Sequence, residues 1–207
     1  MPDFSIENKF DHPVIGLDEV GRGPLAGPVI SCGCYFKNYT IQEDFKNFIG
    51  DSKKLSEKKR KLSFKFLQNL KKEGIIDYHL GIARVEEIDN LNILEATKLS
   101  MKRVIDKFNF KNVQLIIDGN FSLNYKSYKE QSVIKGDDKS FSIATASIIA
   151  KVHRDRLMKK LSIKYKQFGW EKNAGYGTKM HIEIIHRLGP TVHHRKTFEP
   201  IKSLIHS

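Results

Sequence analysis

The sequence predicts an α/β protein, a mixed sheet covered by helices, and three observations predict it. An apolar run, Val14 to Val20, is broken by Gly21-Arg22-Gly23-Pro24. A second β-branched and aromatic run, Gly27 to Phe36, follows it, the pattern of an antiparallel hairpin. Helical and extended patterns then alternate, as strands joined by crossover helices require. Val113 to Ile117 is an unbroken apolar run, as expected of a strand buried on both faces.

The remaining elements follow in order. Ser56 can cap a helix running to about Lys72, with Glu57 in its first turn, Leu62, Phe66 and Leu70 recurring on one face and Phe64 to Leu67 thickening it. Gly74 ends it, and Tyr78 to Val85 alternates as a third strand. Glu86 to Phe108 is expected as one helix on Ile88, Leu91, Leu94, Val104, Ile105 and Phe108, with imperfect register from Leu94 to Leu99. After the buried run ending in Asp118-Gly119, Ser132 to Ile134 makes a brief fifth strand before Lys135-Gly136-Asp137. A long helix runs from about Phe141 to Phe168. Its first half carries Ala144, Ala146, Ser147 and Ala150, small enough to lie close on a sheet. Its second half is amphipathic through Leu157, Leu161, Tyr165 and Phe168. After Gly175-Tyr176-Gly177, a short helix reaches Leu188 and a small one closes the tail. The order β-β-α-β-α-β-β-α-α gives a five-stranded mixed sheet flanked by helices, with a helical C-terminal portion.

The 207 residues are 40% hydrophobic and 29% charged, a globular composition able to bury a core without disulfide or metal staples. One domain, 1–207, is expected, with about 170–207 as a helical subregion. No apolar run approaches the ~20 residues of a membrane helix, and MPDFSIENKFDHPV lacks a secretory pattern. A cytoplasmic protein without membrane contact is expected, and nothing demands more than a monomer. Lys and Arg number 36 against 24 Asp and Glu, a formal charge of +12. That invites a polyanion partner, although a Lys-rich solvated surface accounts for it equally well. Cys32 and Cys34 share a strand face. No second Cys pair exists to complete a zinc site, so two reduced thiols are expected.

In so basic a chain, acids at strand ends are the informative ones. Asp18 and Glu19 lie late in the first strand, Asp118 ends the buried run LIIDGN, and Asp137 follows the fifth strand in KGDDKS. Ligands of open α/β sheets meet beyond strand carboxyl ends, and carboxylates from three strands would suit Mg²⁺ or Mn²⁺. Taken singly, each acid has a plainer reading. Asp118-Gly119 is a turn signal, Asp137 or Asp138 could cap the long helix, and Asp18 and Glu19 could be surface acids. Neighbours on a strand also point to opposite faces, so Asp18 and Glu19 can share a site only where the strand bends or ends. A P-loop is disfavoured, because GDDKS lacks the glycine spacing and GK[ST] ending.

The segment VIGLDEVGRGPLAGPV resembles the opening of bacterial ribonuclease HII. The resemblance runs collinearly through DSKKLS (Asp51 to Ser56), IIDGN, KGD, ASIIAKVHRD (Ala146 to Asp155) and AGYGT (Ala174 to Thr178). It ends in RLGPTVHHRKTFEPI (Arg187 to Ile201) and so covers almost the whole chain. It implies a ribonuclease H-like fold with Asp18, Glu19, Asp118 and Asp137 as catalytic acids holding two Mg²⁺ or Mn²⁺ ions. The related ribonuclease HIII has Glu at the fourth position and an extra N-terminal domain; Asp137 and a first strand by Val14 favour HII.

The resemblance further implies hydrolysis of RNA in RNA–DNA hybrids, and of duplex DNA on the 5′ side of an embedded ribonucleotide, leaving a 3′-hydroxyl and a 5′-phosphate. The implied role is ribonucleotide removal from DNA. The 2′-hydroxyl alone separates RNA from DNA. Gly21, Arg22, Gly23 and Tyr176 are implied as its readers; otherwise the glycines make a tight turn and Tyr176 packs at a loop. Lys53 and Lys151 are expected to contact phosphate, and Lys54 stands beside the same helix start. Arg154, Arg195 and Lys196 fit a solvated basic face. Asp155 is placed for an i,i+4 ion pair with Lys151 or close behind the metals. His153, His181, His193 and His194 are structural or near phosphate, and no spacing among them forces a metal site. Two rivals remain: a DNA nuclease on the same fold, and a noncatalytic nucleic-acid-binding protein, which would leave the strand-end acids unexplained.

Overall fold

The computed structural model describes residues 1–39, 48–49, 56–126 and 128–206. Strands β1 (Val14–Val20), β2 (Val29–Phe36), β3 (Ile76–Ala83), β4 (Gln114–Asp118) and β5 (Lys129–Val133) form one sheet in the order β3-β2-β1-β4-β5. The β1–β2 and β2–β3 pairs are antiparallel, and the β1–β4 and β4–β5 pairs are parallel. The helices are α1 (Glu57–Lys72), α2 (Val85–Leu91), α3 (Ile93–Ile105), α4 (Phe141–Lys164), α5 (Trp170–Asn173), α6 (Lys179–Leu188) and α7 (Ile201–His206).

Helix α4 crosses one face of the sheet and α3 the other. Glycine sets the closeness of the first crossing, since a Cβ on Gly16 would lie 2.5 Å from Ile143 N at the start of α4. Ala144, Ala146 and Ala150 are fully buried against the sheet with Cys32 and Cys34, both free thiols. On the opposite face Ile15, Leu17, Leu115 and Ile117 pack against Met101, Val104 and Ile105. Strand alternation therefore turns Asp18 and Asp118 towards α4.

Three expectations are corrected. The stretch expected as one helix from Glu86 is two, because Asn92 adopts φ 73° and its side chain accepts from Leu94 N and Glu95 N, starting α3 afresh. The buried face of α1 is centred on Phe64, Leu67 and Leu70 with Ser63, and the expected Leu62 falls outside it at 53% exposed. β5 begins earlier than Ser132, at Lys129, because an edge strand with mostly exposed side chains carries little apolar signal. The Ser56 cap stands as expected, its hydroxyl accepting from Lys59 N at 3.3 Å.

Candidate active site

The parallel ladder between β1 and β4 ends at the pair Leu17 and Ile117. The next residue in each strand is an aspartate. Past this point β1 stays paired only to β2, which opens a groove at the carboxyl ends of two parallel strands. Asp18, Glu19 and Asp118 line it with Val20, Arg60, Ser147, Lys151 and Tyr176. The alternation that separates Asp18 from Glu19 is thus no obstacle, because at the strand end both reach the same space.

Burial pushes the Asp18 carboxyl well above the usual carboxylate range, and the charges of Glu19 and Asp118 push the same way. A hydrogen bond from Ser147 on α4 opposes them. Glu19 is raised mainly by burial, against the pull of Arg22, whose Nη1 donates to Glu19 Oε1 at 3.2 Å. The other oxygen, Glu19 Oε2, is buried without a hydrogen-bond partner among the described residues. Asp118 Oδ1 accepts from Gly136 N at 2.7 Å. That bond ties the end of β4 to the turn Gly136–Asp138, which carries the fully buried Asp137. Asp137 does not line the groove that the other three share. Among the described residues no three His, Cys, Asp or Glu side chains are already drawn together closely enough to hold a metal ion. The donors are nevertheless all hard oxygens, mutually repelling, with one buried lone atom, and they fit a divalent cation of the Mg²⁺ or Mn²⁺ kind.

Cations edge the groove. Lys151 donates to Asp155 at 2.7 Å, and Asp155 also pairs with Arg60 at 3.5 Å. Asp155 thus touches two groove-lining cations without lining the groove itself. Sequence reasoning missed Arg60 and Ser147; Ser147 counted there only as a small residue in the close-packed half of α4. Lys53 and Lys54 lie outside the described residues.

Gly21 has φ +96°, and the loop from Gly21 to Pro28 is gripped by two arginines expected on a solvated face. Both are fully buried. Arg154 donates to the carbonyls of Pro28 (3.0 Å), Ala26 (2.9 Å) and Ala174 (2.9 Å). Arg195 donates to those of Arg22 (2.7 Å), Gly27 and Gly21. Burial lowers their guanidinium groups to about 10 and about 9, so both remain charged at neutral pH. A planar fork serves several carbonyls at once, which repays the desolvation that a lone charge would suffer.

The Gly175-Tyr176-Gly177 loop docks onto the same segment through Leu25 N to Gly175 O at 2.8 Å. Tyr176 is exposed and stands beside Gly23, where a Cβ would meet Tyr176 Cε1 at 3.6 Å. Its carbonyl lies 2.8 Å from His181 Nδ1, and His181 Nε2 lies 3.1 Å from both Trp170 Nε1 and His194 Nε2. Two of the four histidines singled out thus brace the loop, while His193 packs edge-on against Tyr165 and His153 against Phe64.

A mixed sheet in this order, flanked by helices, has the ribonuclease H-like fold. Residues 15–200 match the family model described as Ribonuclease HII. A ribonuclease HII of Wolbachia pipientis (strain wPip) is 48% identical over 203 residues, 98% of each chain. The ribonuclease H2 structure from Pyrococcus horikoshii OT3 is 28% identical, with a TM-score of 0.73 over 93% of this chain and 96% of that one. The Bst-RNase HIII structure in complex with Mn²⁺ shares the fold at 18% identity, with a TM-score of 0.72 over 94% of this chain and 70% of its own. The chain belongs to the ribonuclease HII family.

Proposed function

We propose that this endonuclease depends on a divalent metal, hydrolyses the RNA strand of RNA–DNA hybrids and cuts on the 5′ side of ribonucleotides embedded in duplex DNA. The products are a 3′-hydroxyl and a 5′-phosphate, and the role is ribonucleotide removal from DNA. The observation that carries this reading is the groove where Asp18, Glu19 and Asp118 meet beside Tyr176 and the glycine loop. Two Mg²⁺ or Mn²⁺ ions held by Asp18, Glu19, Asp118 and Asp137 would activate water and stabilise the leaving oxygen. Lys151 and Arg60 receive the phosphate backbone, with Lys53 as a further contact. Asp155 orients both groove cations. Gly21, Arg22 and Gly23 let the sugar approach backbone, and Tyr176 packs against it. In this reading the 1–207 domain works as a monomer in the cytoplasm, with 170–207 completing the groove. Among the described residues, no helix is long and apolar enough to cross a membrane.

The test is a labelled DNA duplex carrying one ribonucleotide, incubated with Mg²⁺, Mn²⁺ or EDTA beside an all-DNA control. A metal-dependent cut on the 5′ side of the ribonucleotide, absent from the control, is expected. Equal cutting of the control would indicate a DNA nuclease. Binding without any cut would indicate a noncatalytic protein.

A further inference from the structure

The peptide units of the Gly21-Arg22-Gly23 turn put their two sides to different use. Arg195 Nη2 donates to Gly21 O and Nη1 to Arg22 O. Those carbonyls belong to the amides whose N–H groups sit on Arg22 and Gly23. Glu199–Pro200 is the one cis bond among the described residues, so both amides are trans. In a trans amide the C=O and N–H point to opposite sides. With the carbonyls drawn inward onto a buried guanidinium, the N–H groups face away from it, on two exposed residues. Among the described residues neither N–H donates to a protein acceptor, whereas Leu25, Ala26 and Gly27 in the same loop all do. A cation on the oxygen of an amide also polarises its N–H and makes it a stronger donor.

We propose that Arg195 is a positioning residue, holding the N–H groups of Arg22 and Gly23 as a pair of outward donors for the 2′-oxygen of a ribonucleotide. The proposal rests on the ribonucleotide-cleaving reading above. Selectivity for ribose then depends on a side chain that never touches the substrate. The shape of the guanidinium is essential, since a lysine carries its charge on a single nitrogen and cannot present a planar fork to both carbonyls. A phosphate oxygen suits the same donors, but phosphate is present in DNA and RNA alike, so an all-DNA duplex separates the two.

The experiment compares the wild-type enzyme and Arg195→Lys, each loaded with Mg²⁺, on duplexes with and without one ribonucleotide. Arg195→Lys is expected to lose at least tenfold in kcat/KM on the ribonucleotide duplex. Its affinity for the all-DNA duplex and its Mg²⁺-induced rise in Tm stay at wild-type values. A folded Arg195→Lys enzyme that keeps full preference for the ribonucleotide overturns the proposal. A wild-type enzyme that ignores the ribonucleotide overturns the reading beneath it instead. A second measurement needs no change at Arg195: amide spectra of ¹⁵N-labelled Asp118→Asn protein with Mg²⁺ and each duplex. The Arg22 and Gly23 resonances are expected to move with the ribonucleotide duplex alone. Immobility, or equal movement with both duplexes, rejects the 2′-oxygen as their acceptor.

Discussion

His194 donates to His181, Nε2 to Nε2 at 3.1 Å, and two obligatory donors fix the direction of that bond. Trp170 Nε1–H donates to His181 Nε2, and the Thr191 N–H donates to His194 Nδ1 at 2.9 Å. His181 must then carry its proton on Nδ1, where it meets the Tyr176 carbonyl, and His194 must carry its own on Nε2. Both rings are neutral. The chain of bonds leads from Thr191 to the backbone of Tyr176.

This network has a pH cost. Burial, with His181 second, holds His194 down at about 3, against about 6.5 in an unfolded chain. Below pH 6.5 the unfolded state takes up a proton that the folded state refuses, so stability falls as pH falls towards 3. The loss through this group is expected to reach about 2 kcal/mol at pH 5. Urea denaturation between pH 7 and pH 5 should therefore be steeper in pH for the wild type than for His194→Gln. Parallel profiles would remove His194 as the cause.

Asp18 works in the opposite sense. Its folded carboxyl titrates above the unfolded value, so ionising it near neutral pH costs stability, and the cost is relieved as pH falls. Asp18→Asn is expected to raise the Tm of metal-free protein, each 1 kcal/mol gained being worth about 2–4 °C in a chain of this size. The same variant should lose cleavage and most of the Tm gain on adding Mg²⁺ or Mn²⁺. A lower metal-free Tm would contradict the burial argument.

Asp118→Asn should reduce cleavage at least about a thousandfold while hybrid binding persists, because the side chain ends a strand at the groove and an amide oxygen can still accept from the Gly136 N–H. Turnover near wild type would take Asp118 out of the catalytic set.

Lys151→Ala should weaken duplex binding and flatten the plot of log affinity against log salt by about one unit, the signature of one lost phosphate contact. An unchanged slope would mean that Lys151 serves only its ion pair with Asp155.

Tyr176→Ala is expected to lower the preference for a ribonucleotide duplex over a long hybrid while leaving the metal response of Tm intact. Equal loss on every substrate would assign Tyr176 to packing.

Asp18 and Asp118 were legible as strand-end acids because each closes a run whose burial is written in consecutive apolar residues. Asp118 after LII is the clearest case. Small residues likewise announced the close contact of α4 with the sheet. Arg154 and Arg195 were not legible. A guanidinium that serves backbone carbonyls has no partner residue to leave a mark in the sequence, so it resembles a surface cation. Asn92 was equally silent, since a single left-handed residue splits a helix without disturbing its composition. The edge strand β5 hid for want of an apolar face.

One face of α4 reaches both the groove and the two glycine loops. Ser147 meets Asp18, Lys151 lines the groove, Arg154 holds both glycine loops, and Met158 lies under Gly27 and Gly175. At 1.5 Å per residue, Ser147 and Arg154 are set about 10 Å apart along a continuous helix. On the proposed function, the helix is a ruler between the place of cutting and the place of reading. A single residue inserted between Ser147 and Arg154 would turn one end by about 100° relative to the other. Both ends could stay intact, but an enzyme that works as proposed would lose the fixed offset between the nucleotide it recognises and the bond it breaks.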